Sequence, residues 1–152
     1  MIVREVLEEW CSEVISEIRD NLATTGTNAS GRTSEGLYHT IENDGDKYVI
    51  KIISGGRDYF ESVERGRPAG NVPKGFTSII RQWMDDKGIS VGDDKDNARF
   101  AYFAANKIAN YGTELYRNGG RDDIYTNVFT QKITELEKQL KIEILKDISN
   151  GE

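Results

Sequence analysis

The stretch that decides the fold is "LYHTIENDGDKYVIKIISGG", residues 37–56. Leu37, His39 and Ile41 share one side of an alternating run. Tyr48, Ile50 and Ile52 share one side of the next, opposed by Val49, Lys51 and Ile53. Alternation with a period of two is the signature of a strand with two different faces. Between the runs lies Asp44-Gly45, a pair suited to a tight hairpin turn because glycine accepts positive φ. Ser54-Gly55-Gly56 closes the second run. The expectation is an antiparallel hairpin over about 36–54. Two strands alone are marginal in water, so this hairpin must pack on a helix or gain strands from elsewhere.

The flanking sequence supplies helices. Upstream, Val3, Val6, Leu7, Trp10, Val14, Ile18 and Leu22 recur at spacings of three and four, which makes one apolar stripe. Glu5, Glu8, Glu9, Glu13 and Glu17 occupy the opposite face, and "NLATTGTNASGR", Asn21 to Arg32, reads as the loop that ends the helix. Downstream, Phe76, Ile79, Ile80 and Trp83 mark an amphipathic helix stopped at Lys87-Gly88. An acidic loop then offers an N-cap at Asp96. The next helix runs from about Asn97 to Tyr111, with Phe100, Phe103, Ala104, Ile108 and Tyr111 inward, and either ends at Gly112 or continues to Tyr116. The last helix spans about Ile124 to Ile148, with Phe129, Ile133, Leu136, Leu140, Ile144 and Ile148 on one face. At 1.5 Å per residue it reaches ~35 Å, enough to project beyond a small globule or to pack along a partner. Residues 58–65 are ambiguous: Asp58 and Glu61 fit a capping box, but Tyr59, Glu61 and Val63 also alternate. The fold class is therefore α+β, a small antiparallel sheet with an N-terminal helix and three C-terminal helices, in one domain over residues 1–152.

Composition narrows the function. The hydrophobic fraction is 37% and the charged fraction 30%. Such a balance suits a thin or largely helical fold, or one completed by neighbours. The net charge of −6 gives no general footprint for holding nucleic acid. Cys11 is the single cysteine, so it has no partner for an intramolecular disulfide, and its place in the N-terminal stripe suits an inert, part-buried thiol. "MIVREVLEEW" carries charges where a signal peptide needs an apolar core, and no apolar run approaches a membrane span. A soluble, cytoplasmically made protein with no membrane contact is expected.

Catalytic and cofactor chemistry finds no foothold. His39 is the only histidine and lies on the apolar strand face, which suits a satisfied, part-buried side chain better than a catalytic base. One cysteine and one histidine do not make a zinc site. Asp93, Asp94 and Asp96 lack the twelve-residue calcium pattern. "GNVPKGF" lacks the Gly-Lys-Ser/Thr end of a phosphate loop. Glu61 and Glu64 could be imagined as a carboxylate pair for glycoside cleavage, but Arg65 and Arg67 beside them make ion pairing the simpler reading. No enzyme activity, metal or cofactor is expected. A weaker third reading is a small hydrolase using that pair.

What remains is surface. "ERGRPAGNVP", Glu64 to Pro73, is stiffened by two prolines and turned by two glycines, and it presents two guanidiniums suited to bidentate pairing with carboxylates of another subunit. The order of motifs along the chain resembles the head-tail connector and tail-completion proteins of tailed bacteriophages. Those proteins show a small-residue loop with Gly-Arg, then Ser and Leu entering the first strand, as Gly31, Arg32, Ser34 and Leu37 do here. They also show a tyrosine, a Val-Glu-x-Gly step and a proline loop, matched by Tyr59, Val63, Glu64, Gly66 and Pro68. The segment "AYFAANKIANYGTELYRNGGRDDIYTNVF" looks like neck proteins of phages that infect gut Bacteroidetes, including the crAss-like group. Simple tail-completion proteins end sooner, so the long C-terminal half is a departure.

The resemblance implies a virion structural protein, assembled in the host bacterial cytoplasm. It would form a ring, typically twelvefold, between portal and tail. Its partners would be itself, the portal or an adjacent ring, and tail proteins, with genome DNA passing an acidic lumen without specific binding. Arg32, Glu64, Arg65, Gly66, Arg67 and Pro68 are the expected intersubunit contacts, with Tyr59, Phe60 and Trp83 as the packing beneath them. The glutamate-rich first helix offers the second surface that a ring requires. The alternative is a soluble, non-catalytic adaptor or regulatory domain that binds a partner helix.

Overall fold

The computed structural model describes residues 3–27, 31–45, 47–55, 62–70 and 72–149, apart from the side chains of Arg32, Asp147 and Ile148. The chain runs α1 (Val3–Thr24), α2 (Arg32–Glu35), β1 (Leu37–Asp44), β2 (Lys47–Ser54), α3 (Ser62–Arg65), α4 (Phe76–Lys87), α5 (Asp94–Tyr111), α6 (Glu114–Arg117) and α7 (Thr126–Ser149). It is a mixed α+β fold, with one antiparallel hairpin and helices before and after it.

The hairpin forms in the expected register. Leu37 pairs with Ser54, His39 with Ile52 and Ile41 with Ile50. These residues line the face turned to α1, and two residues connect the strands. The α1 stripe is buried as its spacing requires: Val6, Leu7, Trp10, Val14, Ile18 and Leu22. Cys11 and Ile15 join them, because α1 is covered on two sides, by the hairpin and by α7. Val14, Ile18 and Leu22 are almost wholly removed from water; burial of each such side chain contributes about 1.5–3 kcal/mol. His39 is half-buried and meets Glu8 Oε2 at 2.5 Å through Nε2, so its polar edge is satisfied at the rim of the sheet.

Several boundaries differ from expectation. The first helix does not stop at Asn21 but runs to Thr24, and Asn21 Nδ2 donates to the Ile124 carbonyl at 3.0 Å. A polar residue read as a breaker is instead a tie between α1 and the approach to α7. Arg32, read as the end of a loop, opens a single helical turn. The N-cap of α5 is Asp93 rather than Asp96. Asp96 is the third residue of the helix, and the two form a reciprocal capping box, which starts the helix at Asp94. Gly112 ends α5, and Glu114–Arg117 is a separate turn. Ser62–Arg65 is helical; Asp58, Tyr59, Phe60 and Glu61 lie outside the described residues.

The largest departure is the orientation of the downstream helices. α4 and α5 pack as a helical hairpin, but α5 buries Asn97, Ala101 and Ala105. Phe100, Phe103 and Tyr111 are exposed, by 42%, 62% and 64%, where an inward face was expected. On α4 only Met84 is buried, and Ile79 and Trp83 are exposed. Small side chains let the two helices approach closely, and that contact wins over the larger apolar stripe. Asn97 is tolerated inside because its Oδ1 accepts from the Val91 N–H at 2.8 Å and its Nδ2 donates to Ser90 Oγ.

α7 lies antiparallel to α1. Asn21 reaches Ile124, and the Trp10 indole N–H donates to the Lys132 carbonyl at 2.8 Å. Lys132 Nζ sits between Glu13 and Glu17. Ile124 and Val128 are buried and Phe129 and Leu136 join the same cluster. Ile133 and Ile144, expected on the inner face, are exposed, and the Ile148 side chain lies outside the described residues. From Lys141 onward every described side chain except Glu143 is exposed, as the helix runs past the start of α1.

Cys11 is wholly buried, and burial, with the Glu8 carboxylate adding to the effect, pushes its thiol up to about 11. The neutral thiol therefore supports folding fully below the ordinary thiol pKa of roughly 8.5, and that support is lost as pH rises toward 11. Urea unfolding of the wild type against Cys11→Ala should show the difference in stability moving against the wild type by on the order of 2–3 kcal/mol across that window. A pH-independent difference would contradict it.

Candidate interaction surface

The arginine–proline segment is built around one side chain. Glu64, on the α3 turn, is 2% exposed. Its Oε2 accepts from the backbone N–H groups of Ile124, Tyr125 and Thr126 at 3.0, 2.7 and 2.9 Å. Its Oε1 accepts from the Thr126 hydroxyl at 2.5 Å. The first N–H groups of a helix have no partner within the helix and carry the positive end of its dipole. A carboxylate from sixty residues upstream answers both needs at the start of α7. Four donors call for an acceptor-only group, which an ionised carboxylate is. The Glu64 carbonyl also accepts from the Arg121 N–H at 2.7 Å, so the chain leading into α7 wraps the residue from two sides.

The rest of the segment is docked by its backbone. The Arg67 N–H donates to Thr113 Oγ1 at 3.0 Å, and the Thr113 N–H returns to the Arg67 carbonyl at 2.9 Å. The Gly70 N–H donates to the Ala109 carbonyl at 2.7 Å. The loop is thus stapled to the α5–α6 junction and to the α7 entry. The Arg67 guanidinium lies 5.5 Å from the centre of the Phe76 ring, a cation–π contact.

The expected contact residues therefore divide. Glu64 and Gly66 are buried inside the chain, and Glu64 has its oxygens fully engaged there, so both act as supports. Arg65 and Pro68 are exposed and Arg67 is half-buried, which leaves these three as the accessible ridge. Arg32 lies on α2, with its side chain outside the described residues. Of the packing expected beneath the loop, Tyr59 and Phe60 lie outside the described residues, and Trp83 is 41% exposed on α4; among the described residues Phe76 is the aromatic that meets Arg67. On the first helix, Glu8 meets His39 and Glu13 and Glu17 flank Lys132, while Glu5 and Glu9 face outward.

Sequence reasoning singled out Glu64 as a contact residue and missed its place at the entry to α7. A cap supplied from sixty residues away leaves no local spacing to read. Asp123, just upstream of α7, is not open to cap the helix, because Arg121 holds its two carboxylate oxygens at 2.5 and 2.7 Å. That pairing draws the Asp123 carboxyl below its usual range and raises the Arg121 guanidinium. Among the described residues no three His, Cys, Asp or Glu side chains form a metal-holding group, and no helix is long and apolar enough to cross a membrane. No protein-family model, curated protein or solved structure matches the chain, so its function must be argued from its own residues.

Proposed function

We propose that this chain is a virion structural protein of a tailed bacteriophage, a subunit of an oligomeric ring in the neck that joins portal and head to tail. The observation that carries the reading is the docked arginine–proline loop. Glu64, Gly66 and Pro68, which carry the resemblance to connector proteins, belong to this loop, and the first two are its internal supports. A loop fixed at both ends presents Arg65, Arg67 and Pro68 with little ordering left to do on binding, which favours a repeated protein contact. The outward Glu5 and Glu9 of α1, in a chain of net charge −6, offer carboxylates for a neighbour's arginines. Twelvefold symmetry, contact with portal or an adjacent ring and with tail proteins, and a lumen that lets DNA slide past follow from the resemblance. Assembly would occur in the host cytoplasm.

The test is an assembly experiment. The wild-type chain, mixed with its portal or neighbouring ring, should give rings in electron micrographs, and an antibody to it should label the collar of the particle. Arg65→Glu with Arg67→Glu should abolish rings, and loss of the Arg67–Phe76 contact alone accounts for about 0.5–1 kcal/mol of stability. Particles without the chain at the collar would overturn the reading. The exposed aromatic stripe of α5 favours a second reading, a non-catalytic adaptor that receives a partner helix. An adaptor would bind a cellular protein in fixed low stoichiometry and would be absent from purified particles.

A further inference from the structure

A two-stranded sheet has two outer edges, and in this hairpin they are treated differently. The Gly55 N–H donates to the Gly36 carbonyl, one step beyond the Leu37–Ser54 pair. In an antiparallel ladder bonded and non-bonded pairs alternate, so Tyr38–Ile53, Thr40–Lys51 and Glu42–Val49 exchange hydrogen bonds. The backbone N–H and C=O groups of the residues between them point out of the hairpin: Leu37, His39 and Ile41 on β1, and Tyr48, Ile50 and Ile52 on β2.

The β1 edge is covered by α1. Arg19 Nη2 donates to the Leu37 carbonyl at 3.2 Å and Arg4 Nη2 to the Ile41 carbonyl at 3.4 Å. Among the described residues, nothing hydrogen-bonds to the outward groups of Tyr48, Ile50 and Ile52. The side chains of the same three residues lie on the core-facing side of the strand, yet Tyr48 is 39% exposed and Ile50 and Ile52 are only half-buried. Backbone and side chains are thus left incomplete along one line, and a bare edge is a template for another strand.

A second copy of β2 fits this edge, and the charges choose the register. With the strands antiparallel about a twofold axis at Ile50, Tyr48 pairs with the partner's Ile52 and Ile50 with the partner's Ile50, and each pair exchanges two hydrogen bonds. On the core-facing side aromatic and β-branched side chains then meet, a favourable cross-strand combination. On the other side Lys51 lies opposite the partner's Val49, and Lys47 stays across the ladder from its own Asp44. The two copies of Lys51 stand diagonally, ~7–8 Å apart, where water and salt screen them. A slip of two residues in one direction sets Lys51 against the partner's Lys51, and a slip the other way sets Lys47 against it. Lysines commonly guard a free edge; here they exclude the neighbouring registers and leave this one open.

We infer that β2 of one copy pairs antiparallel with β2 of a second copy, joining two hairpins into one four-stranded sheet in the order β1-β2-β2-β1. The contact is isologous, the same surface on both copies, so it closes at a dimer. It uses neither the arginine ridge nor the outward glutamates of α1 and needs no virion, so it stands or falls separately from the neck assignment.

The experiment is sedimentation of the purified full chain over a concentration series, with amide hydrogen exchange measured at both ends of the series. Wild type should pass from monomer to dimer and no further. The Tyr48, Ile50 and Ile52 amides should exchange fast in the monomer and become protected in the dimer, while those of Val49, Lys51 and Ile53 are protected throughout. Val49→Lys places a lysine opposite the partner's Lys51 on both sides of the axis and should weaken the dimer about tenfold or more. Its monomer should keep an unchanged circular-dichroism spectrum, since the residue across the ladder on β1 is Glu42. Adding Lys51→Glu to Val49→Lys sets opposite charges across the axis and should restore the dimer, now weaker at high salt. A wild type that stays monomeric to its solubility limit overturns the contact even if rings form on a portal. A dimer whose Tyr48, Ile50 and Ile52 amides stay unprotected, a Val49→Lys variant that dimerises like wild type, or a double variant that stays monomeric overturns it equally.

Discussion

Glu64→Ala is expected to destabilise the fold by about 4 kcal/mol, more than any surface substitution in the chain. The change removes no large apolar volume. Its effect comes from the four donors left behind: three backbone N–H groups at the entry to α7 and the Thr126 hydroxyl, all aimed at the vacated carboxylate. A buried donor without a partner loses about 1–3 kcal/mol of solvation, and water can reach only part of this site. The charge opposite the helix dipole is lost as well. For a domain of this size each kilocalorie corresponds to about 2–4 °C, so the melting temperature should fall by about 8–16 °C. Glu64→Gln separates the two contributions. Its amide oxygen can take the place of Oε2 and its amide nitrogen can donate to the Thr126 hydroxyl, which turns to accept, so only the charge is lost and the expected drop is about 1–2 kcal/mol. Urea unfolding of the three proteins checks the order wild type, Gln, Ala. Equal effects of Gln and Ala would mean that the charge, not donor satisfaction, is what Glu64 supplies. No effect from either would remove the internal cap altogether.

The parts of the fold that were legible in sequence are those where one face meets one partner. The hairpin could be read because Leu37, His39 and Ile41 alternate and Asp44-Gly45 leaves few choices for the turn. α1 could be read because its stripe is long and falls within the surface that the hairpin and α7 cover between them. α5 could not be, since periodicity reports where large apolar residues lie and not which side the chain buries. Ala101 and Ala105 won the inner face by allowing close approach, and Phe100 and Phe103 were left outside. The same limit hid half of the candidate site. The arginines and proline of the loop are local features and were visible as a group. That Glu64 faces inward depends on the start of α7, which sequence spacing does not place beside it.

Gly66→Ala is the second large effect, about 3–4 kcal/mol, and it tests whether the loop is held by close backbone approach. Gly66 has φ +76°, a left-handed conformation that an L side chain adopts at a cost of about 1–2 kcal/mol. An added Cβ would also stand 2.4 Å from the Tyr116 backbone nitrogen and 2.6 Å from Thr113 Oγ1. Neither neighbour is the free end of a flexible chain. Thr113 Oγ1 already accepts from the N–H groups of Arg67 and Tyr116, so to make room it must release the bonds that staple the loop to α6. Gly70 in the same loop supplies the control. Its φ is +87°, yet nothing lies within 4 Å of an added Cβ, so Gly70→Ala carries the conformational strain alone, about 1–2 kcal/mol. The difference between the two variants in urea unfolding therefore measures the intrusion at α6, expected at about 2 kcal/mol. Equal losses would mean that the loop rests on α6 loosely and that Arg65 and Arg67 are presented from a mobile support. The expected inequality means that the ridge is set by the same contacts that close the fold, so that Gly66→Ala should weaken any contact made through those arginines without touching either of them.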